Sequence, residues 1–158
     1  MAGLLAGCSS SATVIDHASG SSGVAHVGAT LDLKTASGRS FELTLTQVVD
    51  PATPSSGSVK SNKRYVAVLF QFMNTSSHGL AGDSNSDANI VGSNGKLYVP
   101  SHDSLKECAN ATVQYHIAGN GSGKSCVAFL LKKSVTVAQV QFSPAAGTAT
   151  DYGQWQVP

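Results

Sequence analysis

Residues 65–73 read Tyr-Val-Ala-Val-Leu-Phe-Gln-Phe-Met, and in an extended chain this run is apolar on both faces. A strand of that kind has to be covered from both sides, as the central strand of a sandwich is. Asn74-Thr75-Ser76-Ser77 ends it. Elsewhere the hydrophobic period is two rather than 3.6. Thr30-Leu31-Asp32-Leu33 alternates, and Phe41-Glu42-Leu43-Thr44-Leu45-Thr46 does so more clearly, with Phe41, Leu43 and Leu45 on one face. Pro51 and Pro54, followed by Ser55-Ser56-Gly57, predict a loop. Asn94-Gly95 is a two-residue turn signal between Ile90-Val91 and a returning strand at 96–99. Further strands are expected at 112–117, 125–131, 137–142 and 155–157. Helical periodicity is absent except for a short suggestion at 127–133. Seven or eight short strands over about 130 residues make the expected fold class all-β, a β-sandwich.

The chain of 158 residues fits one domain. Its 41% hydrophobic content is enough for a real core. Ten Lys+Arg against nine Asp+Glu give a net charge of +1, and charged residues make up only 12%. A phosphate-binding protein would show clustered basic charge, so no nucleic acid is expected as partner. No stretch approaches the roughly 20 apolar residues of a membrane-spanning helix.

The N-terminus carries an address. Leu5-Ala6-Gly7-Cys8 reads as a bacterial lipobox, with small residues that fit a narrow peptidase site and a cysteine whose thiol would take a diacylglycerol. Residues 1–7 then read as the remnant of a lipoprotein signal peptide, since a basic n-region and a full h-region do not precede Cys8. Residues 8–26 read as the lipidation site and a flexible Ser/Gly-rich tether, and 27–158 as the folded domain. Acyl chains hold a protein on a membrane without spanning it. The expected location is extracytoplasmic, anchored to the outer face of the cell membrane, or secreted.

If Cys8 carries lipid, Cys108 and Cys126 remain as an even pair, which suits an oxidising compartment. A disulfide between them would close a loop of about 18 residues; two buried free thiols are the alternative. A simple hairpin turning at 119–123 would set Cys126 opposite Tyr115, so Cys108 has to fold back to reach it.

The motifs that suggest chemistry each lack a part. Ala118-Gly-Asn-Gly-Ser-Gly123-Lys124-Ser125 fits a relaxed phosphate-loop pattern, but no strand–helix alternation surrounds it, and no nucleotide is expected. Asp83-Ser-Asn85-Ser-Asp87 resembles half a calcium loop, with Ala88 and Asn94 where a glycine and a bidentate glutamate belong. His17, His26, His78, His102 and His116 show no metal-ligand spacing. The residues after Cys126 lack the His and Met of a blue-copper site. No metal and no cofactor are expected. Neither a G-x-S-x-G elbow nor H-E-x-x-H is present, and the two glutamates, Glu42 and Glu107, make a carboxylate dyad a poor reading. No catalytic residues are assigned. A triad assembled from distant residues stays open, its sign being a cleft that gathers His102 or His116 with an Asp and a Ser.

Several segments in order carry a resemblance: Val27-Gly28; Val48-Val49-Asp50-Pro51-Ala52-Thr53; Lys63-Arg64-Tyr65-Val66-Ala67-Val68 leading to Asn74-Thr75; Ser93-Asn94-Gly95-Lys96-Leu97-Tyr98; Cys126-Val127-Ala128-Phe129; Val140-Gln141-Phe142-Ser143-Pro144; and Gly153-Gln154-Trp155. This order resembles the telokin-like, immunoglobulin-like domain of Gram-positive and actinobacterial lipoproteins and secreted proteins. That family is related in fold to a mycobacterial secreted immunoprotective antigen. Leu130-Leu131-Lys132-Lys133 departs from it, standing where the family has an acidic residue and a proline. The resemblance implies an extracytoplasmic immunoglobulin-like β-sandwich with no known catalytic residues.

The reading that follows is a lipid-anchored binding or interaction module of the bacterial envelope, not an enzyme, with an envelope protein as partner. A small-ligand carrier or an unrecognised envelope hydrolase is the alternative. The candidate binding segments are residues 51–62, with Lys60, and the polar stretch 78–89.

Overall fold

Alternation sorts the side chains of the long strands onto two faces, and the fold covers both. The computed structural model describes residues 15–16, 25–144 and 152–158. One antiparallel sheet has the order β1 (Ile15–Asp16), β3 (Thr30–Lys34), β4 (Ser40–Ala52), β5 (Lys63–Asn74) and β10 (Ser122–Lys132). The facing sheet has the order β2 (Ala25–His26), β12 (Gly153–Gln156), β11 (Val137–Phe142), β7 (Ala88–Gly92) and β8 (Leu97–Tyr98). A separate ribbon pairs β6 (Leu80–Asp83) with β9 (Gln114–Ile117). The architecture is a β-sandwich, all-β as its periodicity requires. No helix among the described residues is long and apolar enough to cross a membrane.

The main core lies between the sheets. Leu31 and Leu33 of β3, Phe41, Leu43 and Leu45 of β4, and Val66, Val68, Phe70 and Phe72 of β5 point inward. They meet Ile90, Val140, Phe142 and Trp155 from the other sheet. The aromatic rings interlock, with Phe70–Phe142 centroids at 5.2 Å, Phe72–Phe142 at 5.7 Å and Phe72–Tyr115 at 4.5 Å. Trp155 is fully buried, and its Nε1 donates to the Ala29 carbonyl at 2.9 Å, so its one polar atom costs nothing.

The outward face of β5 has its own cover. Ala67, Cys126 and Ala128 form a second buried cluster with Leu105 and Ala52, edged by Tyr65, Leu69, Cys108 and Ala111. The segment 101–112 folds back over the sheet and supplies Leu105. Backbone bonds fix it there: Ser101 N to Ala128 O at 2.7 Å, Lys106 N to Thr53 O at 2.9 Å, and Ser55 N to Ser104 O at 2.8 Å. This explains the outward apolar residues Tyr65, Ala67 and Leu69, whereas Gln71 and Met73 lie beyond the cover and are exposed.

Four sequence expectations shift. The strand at 41–46 runs on through Pro51, because register breaks at Leu45/Gln47 and Val49/Ala52 leave the proline, after a cis Asp50–Pro51 peptide, where no ladder donor is needed. The turn at Asn94-Gly95 is a three-residue loop with a bulge: Gly92 N bonds Lys96 O at 2.9 Å, and Gly95 has φ +71°. Residues 127–132 continue β10, with Val127, Phe129 and Leu131 inward and no helix, and Lys133 begins the turn after it. Within the segment read as tether, Ile15–Asp16 pairs antiparallel with Asp32 and Leu31, and Ala25–His26 pairs parallel with Trp155 and Gln156.

Candidate functional site

Cys108 and Cys126 are joined by a disulfide, with Cα atoms 5.3 Å apart. Cys126 projects from the outer face of β10, and Cys108 ends the 3-10 turn Lys106–Cys108 above it. The required fold-back comes from the whole segment 101–112 crossing the sheet, while β9 pairs with β6 instead of making a hairpin with β10. Cys8 lies outside the described residues, as does His17.

The tethered segment walls a polar groove of about 610 Å³, whose far side is β9 and the one-turn helix α1 (Ser84–Asp87). His102, His116, Ser101, Asp103, Gln114 and Asn85 line it. The groove therefore sets the consecutive Ser101, His102 and Asp103 beside His116 of β9. Their bonding differs from that of a triad. The Ser101 hydroxyl donates directly to the Asp103 carboxylate. Bonds from Ser101 and then Tyr65 hold that carboxyl below its usual range. Burial first, and then the hydrogen bond to Asp103, push the Tyr65 hydroxyl up. Among the described residues no hydrogen bond joins either histidine ring to Ser101 or Asp103. The hydroxyl is bonded to a carboxylate with no imidazole between them, which is not the Ser–His–Asp relay of a triad. The same groups are suited to hydrogen-bonding a polar ligand or partner.

On the other side of the disulfide, Glu107 accepts from the Thr53 backbone amide at 3.0 and 3.1 Å. Desolvation acts upward on this carboxyl, yet bonds from its own and the Thr53 amide outweigh it and hold the group below its usual range. Residues 53–55 and 101–107 are thus laced together.

The stretch 78–89 is not the solvated loop its composition suggests. It forms β6, α1 and the start of β7, and it buries Ser84 and Asp87 while leaving His78 and Ser86 exposed. Asp87, 2% exposed, accepts from the Tyr115 hydroxyl at 2.8 Å. Burial, followed by the Asp87 charge, pushes that hydroxyl far above the usual phenol range. Ser125 donates to Ser84 at 2.7 Å, with both residues buried. Asp83 caps α1 by accepting from Asn85 N at 2.9 Å. Asp83 and Asp87 are therefore engaged in holding the fold, not turned together as ion ligands. Among the described residues no three His, Cys, Asp or Glu side chains converge on one point.

Gly123-Lys124-Ser125 lies within β10, paired with Phe72, Gln71 and Phe70, so it is ladder rather than a phosphate-cradling turn. The actual turn at 118–121 is anchored by Asn74, a residue that sequence reasoning passed over as a strand terminator. Its Nδ2 donates to the carbonyls of His78 at 2.7 Å and Ala118 at 3.0 Å, and its Oδ1 accepts from Ser76 N at 3.1 Å.

No family model matches the chain, and no curated protein matches it in sequence. Solved structures do match. The mycobacterial secreted protein MPT63, from Mycobacterium tuberculosis, superposes with a TM-score of 0.60 at 10% identity, covering 87% of this chain and 99% of that one. The fold is the same. The yjhA protein of Bacillus subtilis gives 0.60 at 10% identity, covering 85% of this chain and all of its own. The protein ycdA of Bacillus subtilis, assigned as a lipoprotein, gives 0.57 at 11% identity over 79% of this chain. This chain spans 37% of ycdA. At such identities the likeness carries the architecture alone: a β-sandwich shared with a secreted protein and with a protein assigned as a lipoprotein.

Proposed function

We propose that this chain is an extracytoplasmic, lipid-anchored interaction module of the bacterial envelope, acylated at Cys8, whose partner is another envelope protein. The observation that carries the reading is the disulfide-locked segment 101–112. It spends a covalent bond and a small hydrophobic core on holding an exposed polar surface rigid. Preorganised loops bind with less ordering cost, and disulfides persist in oxidising compartments. The candidate binding face joins the exposed residues 102–104 to residues 53–62, which contain Lys60. Catalysis is not part of the reading: Ser101 is hydrogen-bonded to the Asp103 carboxylate and not to an imidazole, so no Ser–His–Asp relay carries it.

Cross-linking of the lipidated protein in living cells, followed by identification of what co-purifies, tests this. One dominant partner, lost on changing residues 55–60 or 102–104, is the expected result. Absence of any partner above background would overturn the interaction reading. The groove favours a second reading, a small-ligand carrier. A polar ligand that raises the thermal midpoint progressively with the logarithm of its concentration, and fails to do so after His116→Ala, would support it.

A further inference from the structure

The pairing of β1 with β3 changes what a lipid on Cys8 would do to the whole domain. Were the chain free up to residue 26, the anchor would leave the domain untethered in orientation. Ile15 instead lies opposite Asp32 at the edge of the first sheet. Six residues separate it from Cys8. Seven Cα steps span at most about 25 Å even when fully extended. The long axis of the sandwich, set by the twelve residues of β5, is about 35–40 Å. The link is thus shorter than the domain.

The direction of entry is also set. In an antiparallel pair, a strand entering opposite Asp32 comes from the side of Leu33 and Lys34. That is the end of the sandwich where the β3–β4 turn lies, with Gly38 at φ +78° and exposed Lys34 and Arg39 on either side. Arg39 donates to the Gly79 carbonyl at 2.6 Å, which brings His78 to the same rim. Gly153 pairs with Phe142 there, so Tyr152, 40% exposed, belongs to it too. The opposite end carries residues 55–62 and the β10–β11 connection, joined through Lys133 N to Asn62 O at 3.0 Å.

We infer that the end bearing Lys34, Arg39, His78 and Tyr152 faces the lipid bilayer, and that residues 55–62 point away from it. This rests on the proposed acylation of Cys8. Its chemistry is that of a membrane surface: two long cationic side chains and a tyrosine, which is both apolar and hydrogen-bonding, stand where headgroups would be. The consequence is directional. The face proposed for partner binding is held outward, and the short link keeps it so.

The test couples the full chain to vesicles of phosphatidylethanolamine and phosphatidylglycerol through a thiol-reactive phospholipid at Cys8, the one thiol left free by the disulfide. A fluorophore is placed at exposed position 37 or 56 by an encoded azido-phenylalanine, and energy transfer to a headgroup acceptor dye is measured. The expected result is greater transfer from position 37 than from 56, with the difference lost when a long Gly/Ser insert is placed between Ala12 and Thr13. Equal transfer from both positions, or a difference that survives the insert, would overturn the orientation. Mass spectrometry of protein from its native host tests the anchor separately. A diacylated Cys8 supports it, and an unmodified one removes the anchor whatever the vesicles show.

Discussion

Replacing both Cys108 and Cys126 by alanine isolates the disulfide's contribution. Alanine leaves no polar atom in the second cluster, where Cys126 is 2% exposed. The bond closes a loop with a sequence separation of 18. In the chain-entropy model, opening such a loop costs about 3 kcal/mol through the unfolded state. For a chain of this size that corresponds to a drop of about 6–12 °C in thermal midpoint. Leu105 and the three backbone bonds at Ser101, Ser55 and Lys106 still hold segment 101–112 in place, so the fold is expected to survive. Urea unfolding gives the global loss, and hydrogen exchange at those amides gives the local one. The argument requires both to fall, with exchange quickening most at Ser101 and Lys106. A double variant within about 1 kcal/mol of the parent would mean that the unfolded chain does not gain the freedom the model assigns it, and would refute the reasoning.

Tyr115→Phe takes a donor from the buried Asp87 carboxylate and is expected to cost about 1–3 kcal/mol in urea unfolding. In the parent, the folded Tyr115 hydroxyl stays protonated well above the ordinary phenol range, so its contribution to stability is present below that range and is lost as pH rises beyond it. Absorbance titration should therefore show one of the four tyrosines ionising only with unfolding. Ser101→Ala should raise the Asp103 pKa towards its ordinary value in an NMR titration. Asp103 is depressed when folded, so its stabilising effect exists above the ordinary carboxylate range and fades as pH falls through the lowered value. Gly119→Ala would set a Cβ 2.2 Å from the Ser77 carbonyl oxygen, and the displaced backbone should cost about 1–3 kcal/mol in the same assay.

Strand content was legible because alternation is a local property. Phe41, Leu43 and Leu45 declare an inward face without reference to anything distant, and the two-faced run around Phe70 declares a central strand. The candidate site was less legible. Residues 78–89 look solvated because Asp, Asn and Ser usually are, and only tertiary contacts supply Tyr115 and Ser125 as buried partners. Asn74 looked like a strand terminator. What it bonds, the carbonyls of His78 and Ala118, becomes apparent only once two loops are side by side. Ser101, His102 and Asp103 are neighbours in sequence, but the approach of His116 to them left no mark in spacing, since β9 and segment 101–112 are brought together by the fold.

What the chain determines by itself is therefore the class of its secondary structure, the inward face of each long strand and the presence of an even cysteine pair beside Cys8. These follow from backbone pleating and from composition, which need no partner. Tertiary structure alone decides that segment 101–112 forms the second cover of β5, that Ile15–Asp16 joins a sheet edge, and that Ser101 bonds Asp103 rather than a histidine. Each of these depends on which distant backbone lies alongside, and a period of two says only that a face must be buried, never by what.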